Sequence, residues 1–542
     1  MPQEFAPVAE RIIEAVLAAE PRTAFWAGDH RFDDRLPDLS TTAVAGRVAM
    51  LREAADTLAQ FDPDALAPAE RVDHAILVSM VDRRVFEYTE LREHEWNPLE
   101  HNPGDLLHGL LARPFAPAAD RLVSLSGRLA AIPDALASAR ATLRDCPRIH
   151  LETAVGQFAG TAALIRDQLP ELVGAAPQAA GGVAARADQA LAALAEFGTW
   201  LQAQLDTGAP GRDPRLGRPL WEAQLWHTLD TELPAATVLA QARTRLDEVE
   251  AALREASGQL LGLAPEATDT GTVRTALDRL AAEHPDNKSI VDLARQSLAD
   301  TTAFVRDHDL VTLVDDPCVV EEMPEFARGV AVAYCDPPGP LETAPVPTFY
   351  CISPTPADWP ADRVESFYRE YNNHLISNLT VHEAMPGHFL QLAHSRRYRG
   401  STRTRALGFS GTFVEGWAVY AEEVMTGHGY GGLPVLIQRL KMQLRMALNA
   451  ILDQLVHCGE IEEGDAMALL RRRGYQEEGE AAGKWRRALL TSTQLSTYFV
   501  GYTEVAALGR ARPAGVTERD WHDRMLSYGS PPPRHLRRML RL

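Results

Sequence analysis

The run Thr380-Val381-His382-Glu383-Ala384-Met385-Pro386-Gly387-His388 places His, Glu and His within seven residues of an apolar, helix-compatible stretch. Neutral imidazoles suit a zinc ion, and a carboxylate beside one of them suits a general base. In the HExxH pattern the two histidines stand at i and i+4, about 40° apart on one helical face. Here the second stands at i+6, about 240° round an ideal helix. A regular helix would send His382 and His388 to different faces. Pro386 cannot donate to the carbonyl four residues back, and Gly387 tolerates unusual backbone angles. A looped-out pair of residues would return His388 to the place of an i+4 ligand. The competing reading is that Pro386-Gly387 ends one helix, His388 opens another, and neither imidazole holds a metal.

A site with two histidines from one helix takes a third ligand from elsewhere in the chain. Thr412-Phe413-Val414-Glu415-Gly416-Trp417-Ala418-Val419-Tyr420-Ala421-Glu422-Glu423 offers Glu415, 27 residues beyond His388. Glu422, at i+7 on nearly the same face, could accept from the far nitrogen of a ligand histidine and fix its tautomer. The alternative is that both carboxylates are solvated surface charges.

Further on, Arg445, Asn449, Asp453 and His457 recur every four residues on one face of an otherwise apolar segment. Either they form an ion-pair ladder facing solvent, or Arg445 or His457 faces substrate with Asp453 orienting one of them. Gln494, Tyr498 and Tyr502 repeat the spacing. A tyrosine hydroxyl near a polarised carbonyl can stabilise an oxyanion, and Tyr498 is the first choice. The alternative is amphipathic packing.

These side chains need a scaffold. With 542 residues the chain supports a large core. Its formal net charge of −20 argues against nucleic acid and anionic membranes as partners. No apolar run is long enough to span a bilayer, and the N-terminal segment lacks a signal-peptide pattern, so the protein reads as cytoplasmic. Cysteines 146, 318, 335, 351 and 458 lack CxxC spacing and read as reduced thiols. Ala, Leu, Arg and Glu favour helix. Helices are expected through 1–310, which we take as an N-terminal lobe. At about 311 the texture changes: runs at 319–324, 329–335 and 348–352 are β-type, split by Pro-rich turns. A small sheet is expected there, either an ordinary hairpin or a strand that pairs with an extended peptide. Helix should resume at 362–379, run through the histidine motif to about 398, and recur from 411, over 433–457 and over 484–509. Residues 311–542 would form the metal-site lobe, with a soft boundary to the first.

Taken together, HEAMPGHFLQ, FVEGWAVYAEE, the Arg445–Asp453–His457 helix and Gln494-Leu-Ser-Thr-Tyr498-Phe-Val-Gly501 resemble the bacterial family known as domain of unknown function 885. So do Val320-Glu-Glu-Met-Pro-Glu-Phe326, Pro338-Gly-Pro-Leu-Glu342, Thr348-Phe-Tyr350 and Trp521-His-Asp523. The resemblance implies a mostly α, zincin-like metallopeptidase fold with a deep cleft. It implies one zinc at His382, His388 and Glu415, with Glu383 as base, and names no substrate. The expected activity is hydrolysis of amide bonds in short peptides or peptide-like metabolites. Tyr498, or alternatively His457, serves the oxyanion; Arg445, Tyr350 and Tyr502 contact substrate; Glu422 and Asp453 support them. A homodimer is left open. Two rivals stand: a specialised-metabolism enzyme using the same site on a non-peptide molecule, and a non-catalytic helical binding protein.

Overall fold

The computed structural model describes residues 4–209, 211–323, 328 and 332–542. The protein is mostly α-helical with one small sheet. It divides into two compact units. The first comprises 1–214, 338–346 and 400–408; the second comprises 215–337, 347–399 and 409–542. Residues 215–310, expected in the N-terminal lobe, thus belong to the unit that carries the histidine motif.

The first unit contains three long helices, α1 (Ala118–Thr142), α2 (Arg148–Ala175) and α3 (Val183–Asp206). Leu125, Leu129, Ile132, Phe158, Leu194 and Phe197 close its core. In the second unit, α4 (Arg218–Leu229) and α5 (Ala235–Leu261) precede the sheet. The strands are β1 (Cys318–Glu322), β2 (Ala333–Asp336) and β3 (Thr348–Ile352), in the order β1-β3-β2. β1 runs parallel to β3 and β2 antiparallel to it, so β2 is an edge strand. The parts of the expected runs at 324–326 and 329–331 lie outside the described residues.

After the sheet come α6 (Ala361–Glu370), α7 (Asn373–Glu383), α8 (His388–Ser395), α9 (Gly411–Gly427) and α10 (Gly432–His457). They are followed by α11 (Glu478–Leu490) and α12 (Thr497–Arg510). Asn372 starts α7 by accepting from the His374 and Leu375 N–H groups, and Ser410 starts α9 by accepting from Phe413. The helix expected through 362–398 is therefore three helices. The one expected over 484–509 is two, because the buried Asp453 carboxylate collects the N–H groups of Thr493 and Ser496 at 3.1 and 3.0 Å. That turn stops α11 from continuing and starts α12.

α9 and α12 meet at backbone distance. A Cβ on Gly416 would stand 2.4 Å from the Gly501 carbonyl, and one on Gly501 would stand 2.3 Å from the Thr412 oxygen. No larger residue fits at either position. This contact sets Glu415, next to Gly416, near Tyr498, three residues before Gly501. Trp417, Trp521, Trp221 and Tyr350 are fully buried around the same core.

Candidate metal centre

α7 ends at Glu383 and α8 begins at His388, so the chain does break at Pro386-Gly387. The break nevertheless restores the lost register. The Gly387 N–H donates to the Val381 oxygen and the Leu390 N–H to the Ala384 oxygen, each six residues back instead of four. Two residues are thus absorbed in the loop, the number needed to convert i+6 into i+4. The Trp417 indole N–H donates to the Pro386 oxygen at 2.8 Å and holds the loop from α9.

His382 and His388 stand edge to face, with ring centroids 4.7 Å apart. The Nε2 atoms of both lie 3.5 Å from Glu415 Oε2. Among the described residues these three form the group of potential ligands whose donor atoms all lie within 4.8 Å of one another. Glu415 Oε2 is buried and takes no hydrogen bond there. Zinc ligands at about 2.0–2.2 Å in a tetrahedral shell stand about 3.3–3.5 Å apart, which is the spacing found here. Two imidazoles and one carboxylate are also the donor set of catalytic zinc sites. The residues fit the ion.

The electrostatics agree with a place for positive charge. Burial opposes a charged His382, but Glu415 and then Glu422 outweigh it and raise its pKa well above the usual imidazole range. Burial likewise pushes Glu415 up, yet the two histidines hold its carboxyl far below the usual carboxylate range. His382 Nδ1–H donates to Glu422 Oε1 at 2.7 Å. Glu422 is 4% exposed, and its other oxygen accepts from Asn378 Nδ2 at 2.9 Å. His382 therefore presents Nε2 with a fixed tautomer. Among the described residues His388 Nδ1 has no hydrogen-bond partner.

A first expected result concerns Glu422→Gln. The amide keeps the shape and can meet the unpaired Asn378 Oδ1, so the fold should persist. Loss of the carboxylate from behind His382 should weaken zinc binding about tenfold. Competition against a chromogenic chelator measures this; unchanged affinity removes Glu422 from the site.

Glu383, half-buried at the end of α7, accepts the Cys335 N–H of the edge strand β2 at 3.0 Å. Burial raises its pKa, opposed by the nearby His388 and His382. Tyr498 is half-buried and feels Glu415 most strongly, then burial; both raise its pKa, and Arg487 and His382 oppose them.

The other expected contacts lie elsewhere. Tyr350 is fully buried and hydrogen-bonded to Thr380 Oγ1 at 3.1 Å, so it ties β3 to α7 and cannot reach a substrate. Tyr502 bonds Glu423 and accepts from Arg245 at 3.2 Å. His457, 2% exposed, donates to the Thr491 oxygen at 2.9 Å and accepts from the Leu216 N–H at 3.4 Å. With both nitrogens occupied by backbone, it is a structural histidine. Asp453 lies 3.9 Å from His457 Nε2, but among the described residues it forms no hydrogen bond with His457 or Arg445. It also accepts from Trp221 Nε1 and Ser496 Oγ, and so fixes the start of α12 two residues before Tyr498. Arg445 is buried between Glu370 at 2.8 Å and Glu480 at 3.0 Å, with Lys441 on the same Glu370. It is already neutralised.

Sequence reasoning missed Asn378, although it stands four residues before His382 and therefore on its face. Trp417, which holds the loop through its indole N–H, stands two residues beyond Glu415 in the same motif. Residues of the first unit, including Arg22, Glu100 and His101, line a cavity of about 350 Å³.

Fold and site together define a mostly α protein with a two-histidine, one-glutamate cluster on a broken helix. The chain belongs to the family described as bacterial protein of unknown function (DUF885), whose model matches residues 21–540. A candidate lipoprotein of unknown function from Shewanella oneidensis aligns over 100% of both chains, with 28% identity and a TM-score of 0.84. One from Colwellia psychrerythraea covers 99% of this chain and 98% of its own, with 15% identity and a TM-score of 0.81. An M32 carboxypeptidase from Deinococcus radiodurans R1 aligns at 14% identity over 91% of this chain and 95% of its own; its TM-score of 0.37 carries no argument. No curated protein matches the chain. Among the described residues no helix is long and apolar enough to cross a membrane.

Proposed function

We propose that the protein is a zinc-dependent hydrolase that cleaves amide bonds of short peptides or peptide-like metabolites. The observation that carries this reading is the convergence of His382 Nε2, His388 Nε2 and Glu415 Oε2 on one point, with Glu383 beside it. His382, His388 and Glu415 would hold the ion, which when bound supplies Lewis acidity and makes water acidic near pH 7. Glu383 takes a proton from the attacking water and returns it to the leaving amine. Its raised pKa suits a group that must do both. The Tyr498 hydroxyl, kept protonated by the carboxylate of Glu415 and by burial, donates to the carbonyl oxygen as negative charge gathers there. The edge strand β2, which already points one N–H at Glu383, supports an extended substrate lying alongside. We place the protein in the cytoplasm. Among the described residues the five cysteines form no disulfide, which supports a reducing compartment.

Zinc-loaded protein is to be incubated with a dipeptide and tripeptide pool and with N-acylated small amides. Cleavage that stops on chelation and returns with zinc supports the hydrolase. Cleavage confined to the non-peptide amides moves the reading to specialised metabolism. Protein that takes up no stoichiometric zinc and cleaves neither set is a binding scaffold.

A further inference from the structure

The face of α11 that carries Glu480, Lys484 and Arg487 bears two cations and one carboxylate. These residues stand four and three apart, so their side chains share that face. Glu480 pairs with Arg445 at 3.0 Å, and Arg445 and Lys441 share Glu370. Burial works against both Lys441 and Arg445; around Arg445 the carboxylates of Glu370 and Glu480 outweigh it. In return Arg445 and Lys441 hold Glu370, despite its burial, at about 2. That network is closed. Lys484 and Arg487 remain outside it. Among the described residues, Glu370 and Glu480 pair with Lys441 and Arg445, and no carboxylate forms an ion pair with Lys484 or Arg487.

Lys484 is half-buried, and among the described residues it makes no hydrogen bond or ion pair. Burial, then Arg487 and Arg445, lower its pKa to about 8 against the opposing pull of Glu480. A lysine in that position gains from an anion. Arg487 is exposed, and its guanidinium donates to Gln494 Oε1 at 2.7 Å and bears on the Tyr498 hydroxyl. Tyr498 thus feels both Glu415 and Arg487, and Lys484 stands three residues before Arg487 on the same face of α11.

We propose that Lys484 and Arg487 form the receiving site for a substrate carboxylate, so that the preferred substrates are amides bearing a free carboxylate close to the cleaved bond. The proposal deepens the hydrolase reading and rests on it for the word substrate; the anion site itself does not depend on catalysis. Arg487 supplies a planar fork that matches a carboxylate, and Lys484 supplies a compact point charge. The carboxylate would complete the charge balance that Glu370 and Glu480 provide one layer deeper.

The test has two arms. In the first, succinate is titrated calorimetrically into metal-free protein at fixed ionic strength, with succinamide as the neutral control. Succinate should bind wild type, and the Lys484→Met/Arg487→Met variant should bind it about 10- to 100-fold more weakly. Lys484→Arg, which keeps the charge, should retain most of the binding and guards against a folding defect in the double variant. Equal affinity for succinamide, or unchanged succinate affinity in a folded double variant, overturns the site. In the second arm, zinc-loaded wild type meets a tripeptide pool with free C-termini and the same pool amidated. The free acids should be cleaved at least about tenfold faster. Equal cleavage of both overturns the substrate preference but leaves the hydrolase standing. Cleavage of neither removes the hydrolase, and the succinate result then decides the anion site by itself.

Discussion

Glu383→Gln should lower kcat by about 10²–10⁴-fold while zinc content stays at that of wild type. The substitution keeps the size of the side chain, and its amide oxygen can still accept the Cys335 N–H that holds Glu383 at 3.0 Å. His382, His388 and Glu415 are untouched, so the ligand atoms keep their spacing. What disappears is the capacity to take a proton from water and give it back to the amine. Because that proton moves only in the transition state, KM should change little beside kcat. Zinc by elemental analysis, together with turnover of any pool member found to be cleaved, measures both quantities on one preparation. Activity within a few-fold of wild type, with zinc retained, would falsify the assignment of Glu383 as base and return the choice to another group at the site.

The parts of this arrangement that could be read from sequence are those fixed by neighbours along the chain. Pro386 and Gly387 announce that the helix cannot run regularly through the motif, and the six-residue step between histidines says how much chain must be absorbed. The β-type runs upstream of 353 announce the sheet, and Gly416 beside Glu415 marks a place where a second helix can come close. What could not be read is which element covers a given face. Arg445, Asp453 and His457 share one stripe of α10, and their spacing says only that. The stripe meets α6 and α11 at Arg445, the start of α12 at Asp453, and the Thr491 and Leu216 backbone at His457. Three residues on one face thus do three different things. Tyr498 and Tyr502 differ in the same way: one turn along α12 separates a hydroxyl near Glu415 from one bound to Glu423. Arg445, expected to contact substrate, is instead balanced by Glu370 and Glu480. Neither glutamate lies near it in sequence.

The second large effect is expected at Gly387, a residue that coordinates nothing. Its φ of −71° lies outside the left-handed region, and the clearest demand for glycine is one of space. A Cβ there would lie 1.9 Å from the His382 oxygen and 2.3 Å from the Val381 oxygen. Both are backbone atoms in the last turn of α7, and the Gly387 N–H is itself bonded to the Val381 oxygen at 2.9 Å. No rotamer change relieves such a contact; the turn must open. Opening it moves His388 away from His382 and stretches the loop that Trp417 holds through the Pro386 oxygen. Gly387→Ala should therefore destabilise the protein by about 1–3 kcal/mol or more. The same strain, released by letting the histidines separate, should weaken zinc binding about 100-fold. Gly427, where an added Cβ meets nothing within 4 Å, provides the control: Gly427→Ala should leave both quantities nearly unchanged. Urea unfolding and chelator competition on the two variants give the comparison. If Gly387→Ala binds zinc as tightly as wild type, the two-residue loop is not what gathers the histidines, and the account of how an i+6 pair becomes a metal site fails with it.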